Sequence, residues 1–417
     1  DFVRNAQRRI FVDLLDSRLS AAARRSGGEA YTGASLYESE LASDYFLLSA
    51  GASFEGEAWA AALESLRAQI ALVARDGFLE SELERLEKDY AIGLEDVEKN
   101  GRSSDAWVSR LADAFERGAT TISDADRRRL YDVAFDGLDE SKLMRYAKQF
   151  EEAGERIVFA DMPESPDVPS ADELASAVAS SPVALSEWVD EGSSALFPAF
   201  PRVVSPIAER EEAGSLVLSY ANGIVVALRR TEHEPDQIVM TAYAPRGTDR
   251  LDYRGYANAL IAAALVPGSG FDGLSPEGLK DALAGINAGL EASLTEETFA
   301  LSGSSDRAGL ETLLQLVRRT LSDPVIDGGY LSMVKKSLVE RARNFRNDPE
   351  SVFQLEMSKR LYPASAERDS LFTETSDVEL LDAELARDSF LSLASPPGGL
   401  RLAFAGSYDE ETLRGLC

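Results

Sequence analysis

The side chains able to do chemistry are few, and their types bound what this chain can do alone. Histidine occurs once, at His233, and cysteine once, at Cys417. A helical zinc site needs two histidines one turn apart on one face, with a glutamate as base. His233 stands alone in the charged stretch Thr231-Glu232-His233-Glu234-Pro235, which reads as a surface turn. Cys417 has no histidine near it in sequence, which excludes a local Cys–His nucleophile. Gly268-Ser269-Gly270 is too short to cradle a nucleotide phosphate, and the G-x-x-x-x-G-K-[ST] pattern is absent. Carboxylates abound, and most read as solvated faces.

The 417 residues carry 72 acidic and 43 basic side chains, a formal charge of −29. Such a chain repels nucleic acid and anionic membrane surfaces at long range, and attracts cationic peptides. No run of roughly 18 apolar residues is long enough to span a bilayer. One thiol leaves redox compartment unreadable. The chain starts at Asp1 without Met and enters a helical pattern at once, so it reads as a piece of a longer polypeptide.

The elements that would hold any site form two similar series. Asp1 to about Arg25 reads as a helix with Ile10, Leu14, Leu15 and Leu19 on its apolar face, ended by Gly27-Gly28. Two extended segments follow, near 29–37 and 45–52. Helices are expected near 57–75, from 79 onward, and near 104–117, 123–135 and 139–152. Arg156-Ile157-Val158-Phe159-Ala160 reads as a closing strand. Residues 163–206 hold seven prolines among many Ser and Ala, the composition of a linker, with a short helix near 171–179.

Beyond it, two β-rich runs flank Ala221-Asn222-Gly223, a hairpin signal because Asn and Gly tolerate positive φ. A third strand covers 238–244. Helices fit 252–265, 276–284, 306–321, 328–345 and 349–361; strands fit 286–294, 297–303 and 401–405. In each half a strand pair leads to an amphipathic helix, a breaker and a long charged helix. The copies are Leu63 to Tyr90, broken at Asp76-Gly77, and Leu310 to Val339, broken at Asp323-Pro324. The pattern implies an internal duplication and an α+β layer fold, antiparallel sheet packed with helices. The expected division is 1–162, a Pro-rich hinge linker 163–206, and 207–417.

The ordered motifs resemble the insulinase- and pitrilysin-like (M16) zinc peptidase family. Ser17-Arg18-Leu19 and Gly77-Phe78 with Glu82-Leu83 resemble helix motifs of its second domain. The Asn222-Gly223 turn, Arg246-Gly247, Val266-Pro267-Gly268-Ser269-Gly270, Leu301-Ser302-Gly303-Ser304-Ser305 and Asn347-Asp348-Pro349 resemble its second half. The resemblance implies two LuxS/MPP-like metallohydrolase-type domains, a second M16-type domain and a degenerate, truncated third one. The metal motif H-x-x-E-H would lie upstream, on a missing N-terminal catalytic domain that carries zinc; a C-terminal domain would be missing too. The segment corresponding to the metal helix is Tyr253–Ala264, which holds neither His nor Glu.

The family also pairs an Arg and a Tyr seven residues apart, which hold the substrate backbone and stabilise the oxyanion. Arg24 and Tyr31 have that spacing, and guanidinium and phenol are suitable donors. The alternative for the same residues is a solvated helix end and a half-buried strand tyrosine. The implied function is to enclose and position peptide substrates for zinc-dependent hydrolysis performed elsewhere, with no cofactor in this chain. The other reading is a non-catalytic binding or assembly subunit of the same fold.

Overall fold

The computed structural model describes residues 2–42, 45–116, 118, 120–154, 156–162, 168–183, 185–189, 204–234, 236–394 and 399–416. Parts of the linker (163–167, 184 and 190–203), together with Pro235 and Cys417, therefore lie outside the described residues. The chain forms two compact units. Unit 1 comprises Asp1–Lys88, Arg102–Asp190 and Ser332–Glu340; unit 2 comprises Asp89–Gly101, Glu191–Leu331 and Arg341–Cys417.

Unit 1 opens with α1 (Phe2–Arg25), whose Ile10, Phe11, Leu14, Leu15 and Leu19 are buried. The hairpin β1 (Gly33–Ala42) and β2 (Tyr45–Ser53) packs on α1. Next come α2 (Trp59–Asp76), the long α3 (Glu80–Asn100, of which the part from Asp89 belongs to unit 2), α4 (Ser104–Glu116), α5 (Asp124–Asp136), α6 (Glu140–Glu151) and α7 (Ala171–Ala179). α2 lies against α6 and α1 against α5. An edge-to-face contact of Phe11 with Phe78, centroids 6.2 Å apart, adds directional packing to this core. The α2 helix stops where Gly77 takes φ 75°, as the Asp76-Gly77 breaker implies.

The closing strand expected at 156–160 is not one. These residues follow α6 but enter no ladder among the described residues. A strand needs neighbours to satisfy its amides, and the described sheet of unit 1 has two strands only.

Unit 2 is built on a seven-stranded sheet: β3 (Ala208–Glu212), β4 (Ser215–Ser219), β5 (Val225–Arg230), β6 (Ile238–Ala244), β7 (Ala288–Leu294), β8 (Phe299–Ser305) and β9 (Arg401–Gly406). Spatial order is β3-β4-β5-β9-β6-β8-β7; β5 and β9 run parallel, every other pair antiparallel. Along β6, Ile238, Met240, Ala242 and Ala244 are buried and the residues between them exposed, so one face is covered. Helices α8 (Tyr253–Leu265), α9 (Pro276–Leu283), α10 (Leu310–Ser322), α11 (Gly328–Phe345, of which Ser332–Glu340 belongs to unit 1), α12 (Pro349–Leu361), α13 (Ala366–Asp369), α14 (Thr375–Val378), α15 (Ala383–Ala394) and α16 (Glu410–Leu416) complete the element list. α8 packs on β7 and on α15, while Phe299 of β8 meets Phe390 of α15 edge to face, centroids 5.3 Å apart.

Two elements escape sequence patterning. β3 reads Ala-Glu-Arg-Glu-Glu, fully exposed, and qualifies as a strand only by pairing with β4; its charges protect the sheet edge. No element is expected over 362–400, yet α15 packs there against α8. At the 220–224 hairpin only Gly223 takes positive φ, 86°. Asn222 instead uses its side chain, whose Oδ1 accepts from the Ile224 amide at 3.1 Å. Taken together the molecule is α+β, with the same helix–strand–strand–helix–helix succession in α1, β1, β2, α2, α3 and in α8, β7, β8, α10, α11, apart from the inserted α9.

Candidate functional site

Arg24 and Tyr31 stand on either side of a tight turn. α1 ends at Arg25, and Gly27 and Gly28 follow with φ 58° and 71°. The amide of Gly28 donates to Ala23 O at 2.9 Å and that of Gly27 to Arg24 O at 2.9 Å, satisfying carbonyls at the helix end. A Cβ on Gly28 would meet the Met333 side chain at 3.2 Å, so the turn is closely covered. It returns the chain against α1, where the Tyr31 hydroxyl donates to Leu19 O at 3.2 Å.

Both side chains are interior. Tyr31 is 2% exposed and Arg24 6%. Tyr31 packs with Ala23 and Ala62, bordered by Phe54 and Met333. Burial pushes its phenol up to about 12, because the phenolate would lose hydration. Arg24 is thus no solvated helix end, and Tyr31 is more than half-buried and precedes β1. The hydroxyl that could serve a substrate is engaged with the Leu19 carbonyl.

The motifs at 17–19 and 77–83 meet in space. Arg18, 2% exposed, donates through Nε to Glu82 Oε1 at 3.0 Å and through Nη1 to Gly77 O at 3.0 Å. Its Nη2 pairs with Glu82 Oε2, completing a fork. The guanidinium also lies over the Phe78 ring, 4.7 Å from its centroid, and 5.2 Å from that of Trp188. Glu82 in turn accepts from the Leu79 amide at 2.8 Å, fixing the entry of α3. Sequence reading marks both motifs but not their junction, since nothing in a local pattern pairs residues 64 apart.

The described part of the linker is tied to this unit by arginines. Arg67 donates to Ala177 O and Ser180 O at 2.7 and 2.8 Å. Arg75 reaches Leu185 O at 3.2 Å, and Arg25 reaches Val189 O at 2.9 Å with its guanidinium 4.1 Å from the Trp188 centroid.

Among the described residues no group of three or more His, Cys, Asp or Glu side chains converges as a metal site. On α8 the buried polar side chain is Asn258, and it is engaged: its Nδ2 donates to Arg254 O and Leu380 O, and its Oδ1 accepts from the Asp382 amide. His233 is exposed.

No protein-family profile matches the chain, and no curated protein sequence does. Solved structures do. The periplasmic protease PqqL from Escherichia coli aligns over 100% of this chain and 46% of its own, at 17% identity and a TM-score of 0.50. A mutant of the ferredoxin protease FusC, solved in complex with Arabidopsis ferredoxin, aligns over 99% of this chain and 46% of its own, at 17% identity and a TM-score of 0.57.

The fold is that of these two proteases.

The chain spans about half the length of the structures it matches.

Proposed function

We propose that this chain is the non-metal-binding portion of a zinc-dependent peptidase, which encloses and positions peptide substrates for hydrolysis at a zinc site on another domain. The observation that carries this reading is the alignment of the whole chain with slightly under half of two proteases. The single histidine supports it, since no two-histidine zinc helix can be drawn from this sequence. On this reading 163–206 is the hinge linker, and zinc belongs to the missing N-terminal domain. The substrate is a peptide, and the charge of −29 favours a basic one.

Arg24 and Tyr31 are the proposed substrate-backbone contacts. For Tyr31 that role requires its hydroxyl to leave the Leu19 carbonyl, or to act through the backbone it holds.

The test is metal analysis and peptide incubation of the chain purified without a histidine tag. The expected result is less than stoichiometric zinc, no new fragments by mass spectrometry, and salt-sensitive binding of an unstructured basic peptide by fluorescence anisotropy. One tightly held zinc per chain, or cleavage of the peptide, overturns the reading.

A further inference from the structure

Residues 185–189, expected as linker, are held on unit 1 in the manner of a bound peptide. The segment is led in by α7, which lies against α2. Arg67 of α2 closes the end of α7 by donating to Ala177 O and Ser180 O at 2.7 and 2.8 Å. Eight residues further along α2, a rise of about 12 Å, Arg75 donates through both Nη atoms to Leu185 O at 3.2 Å. Arg25, the last residue of α1, then donates to Val189 O at 2.9 Å.

Nearly all of these contacts read main chain. The side chain that takes part is Trp188, half-buried, whose ring centroid lies 4.1 Å from the Arg25 guanidinium and 5.2 Å from that of Arg18. A guanidinium attracts an aromatic face through the ring quadrupole. Arg18 is itself held by Glu82, and Arg75 by Asp76, so the positive charge of both is largely offset. This face therefore recognises carbonyl oxygens and one aromatic ring, features that do not depend on the rest of a peptide's sequence.

The grip is light. None of the described residues between 181 and 189 is buried, and none enters a strand ladder. Water can replace each arginine donor as the segment lifts. A stretch that buries no side chain opens at a small fraction of the cost of unfolding the whole unit.

We propose that Leu185–Val189 is a detachable latch, filling a peptide-binding face of unit 1 formed by Arg18, Arg25 and Arg75. The external ligand of that face is an extended peptide with a tryptophan one residue before its end. Such a peptide offers the same carbonyl, ring and carbonyl as Leu185, Trp188 and Val189. With the latch shut, a peptide must displace it to bind. The proposal rests on contacts within unit 1 and not on the peptidase reading, so either can fail alone.

Two measurements test it. The chain has three tryptophans, so Trp59→Phe with Trp107→Phe leaves Trp188 as the sole reporter. Its emission should shift to that of an exposed indole at lower urea than the loss of helix seen by circular dichroism. The second probe is a fluorescein-labelled peptide of sequence Ser181–Val189, followed by anisotropy. A latch shut in more than about nine molecules of ten weakens apparent affinity by that fraction. Trp188→Ala in the chain should therefore bind the peptide at least about tenfold more tightly than the unaltered chain. Adding Arg25→Ala, or replacing the tryptophan of the peptide by alanine, should cancel the gain while circular dichroism stays unchanged. Three results overturn the proposal: Trp188 emission and helix signal changing together, no tighter binding by Trp188→Ala, or a gain that survives either cancelling change.

Discussion

Tyr31 couples a polar contact to a deep position, and the two can be separated experimentally. Removing the hydroxyl in Tyr31→Phe loses one buried hydrogen bond to Leu19 O, expected to cost about 0.5–1.5 kcal/mol. The phenol also gives a pH signature. Its folded pKa, about 12, stands above the ordinary value of 10, so the folded state holds the proton more tightly. That contribution is complete below pH 10 and is lost as pH rises from 10 through 12, by about 2–3 kcal/mol in all. Tyr253 is raised to about 12 as well, so Tyr31→Phe should flatten the alkaline decline of stability without abolishing it, as read by urea unfolding between pH 8 and 11. On the proposed function, a substrate-contacting Tyr31 predicts a turnover loss of roughly a hundred- to thousand-fold for the same change in a parent peptidase. Normal turnover with a lowered thermal midpoint would remove Tyr31 from the substrate. Arg18 is the other residue of consequence. Replacing it with Met leaves Glu82 without its guanidinium in a mostly buried place, expected to cost about 3–5 kcal/mol. Adding Glu82→Leu should recover part of that loss, and a double variant less stable than Arg18→Met would contradict the pair assignment.

At the scale of elements, local chemistry made much of the fold readable. β6 falls at 238–244 because its apolar residues alternate, and α9 begins at Pro276 because Ser275 caps it, accepting from the Gly278 amide at 3.0 Å. What stayed hidden depends on partners remote in sequence. β3 is a strand by virtue of β4, α15 is held by α8, and 156–160 carries a strand's pattern without a strand's neighbours among the described residues. The candidate pair was legible as a spacing, whereas its burial was not, since the covering side chain Met333 lies some 300 residues away in sequence. Turns show the same division. Between β3 and β4 the chain reverses through Ala213 and Gly214, both at positive φ, 49° and 77°. An alanine there carries a Cβ in the left-handed region at a cost of about 1–2 kcal/mol, so Ala213→Gly should raise unfolding free energy by about 1 kcal/mol. Chemical denaturation of that single variant checks it; destabilisation would mean the turn is not formed as described.

The whole molecule is assembled out of sequence order. Unit 1 includes Ser332–Glu340, and Ser332 Oγ donates to Gly27 O at 2.7 Å while Met333 borders Tyr31. The turn between Arg24 and Tyr31 is therefore finished by Ser332 and Met333, some 300 residues later in the chain. This bears on how the protein is made. Between the emergence of Asp190 and of Glu340, 150 residues must be added, which takes about 8–30 s at ordinary rates of synthesis. Throughout that interval the nascent first unit has its α1 and hairpin but no cover for Gly27-Gly28, and Tyr31 faces water on one side. Until that stretch is made, the growing chain carries a first unit whose Gly27-Gly28 turn lacks the cover of Ser332 and Met333.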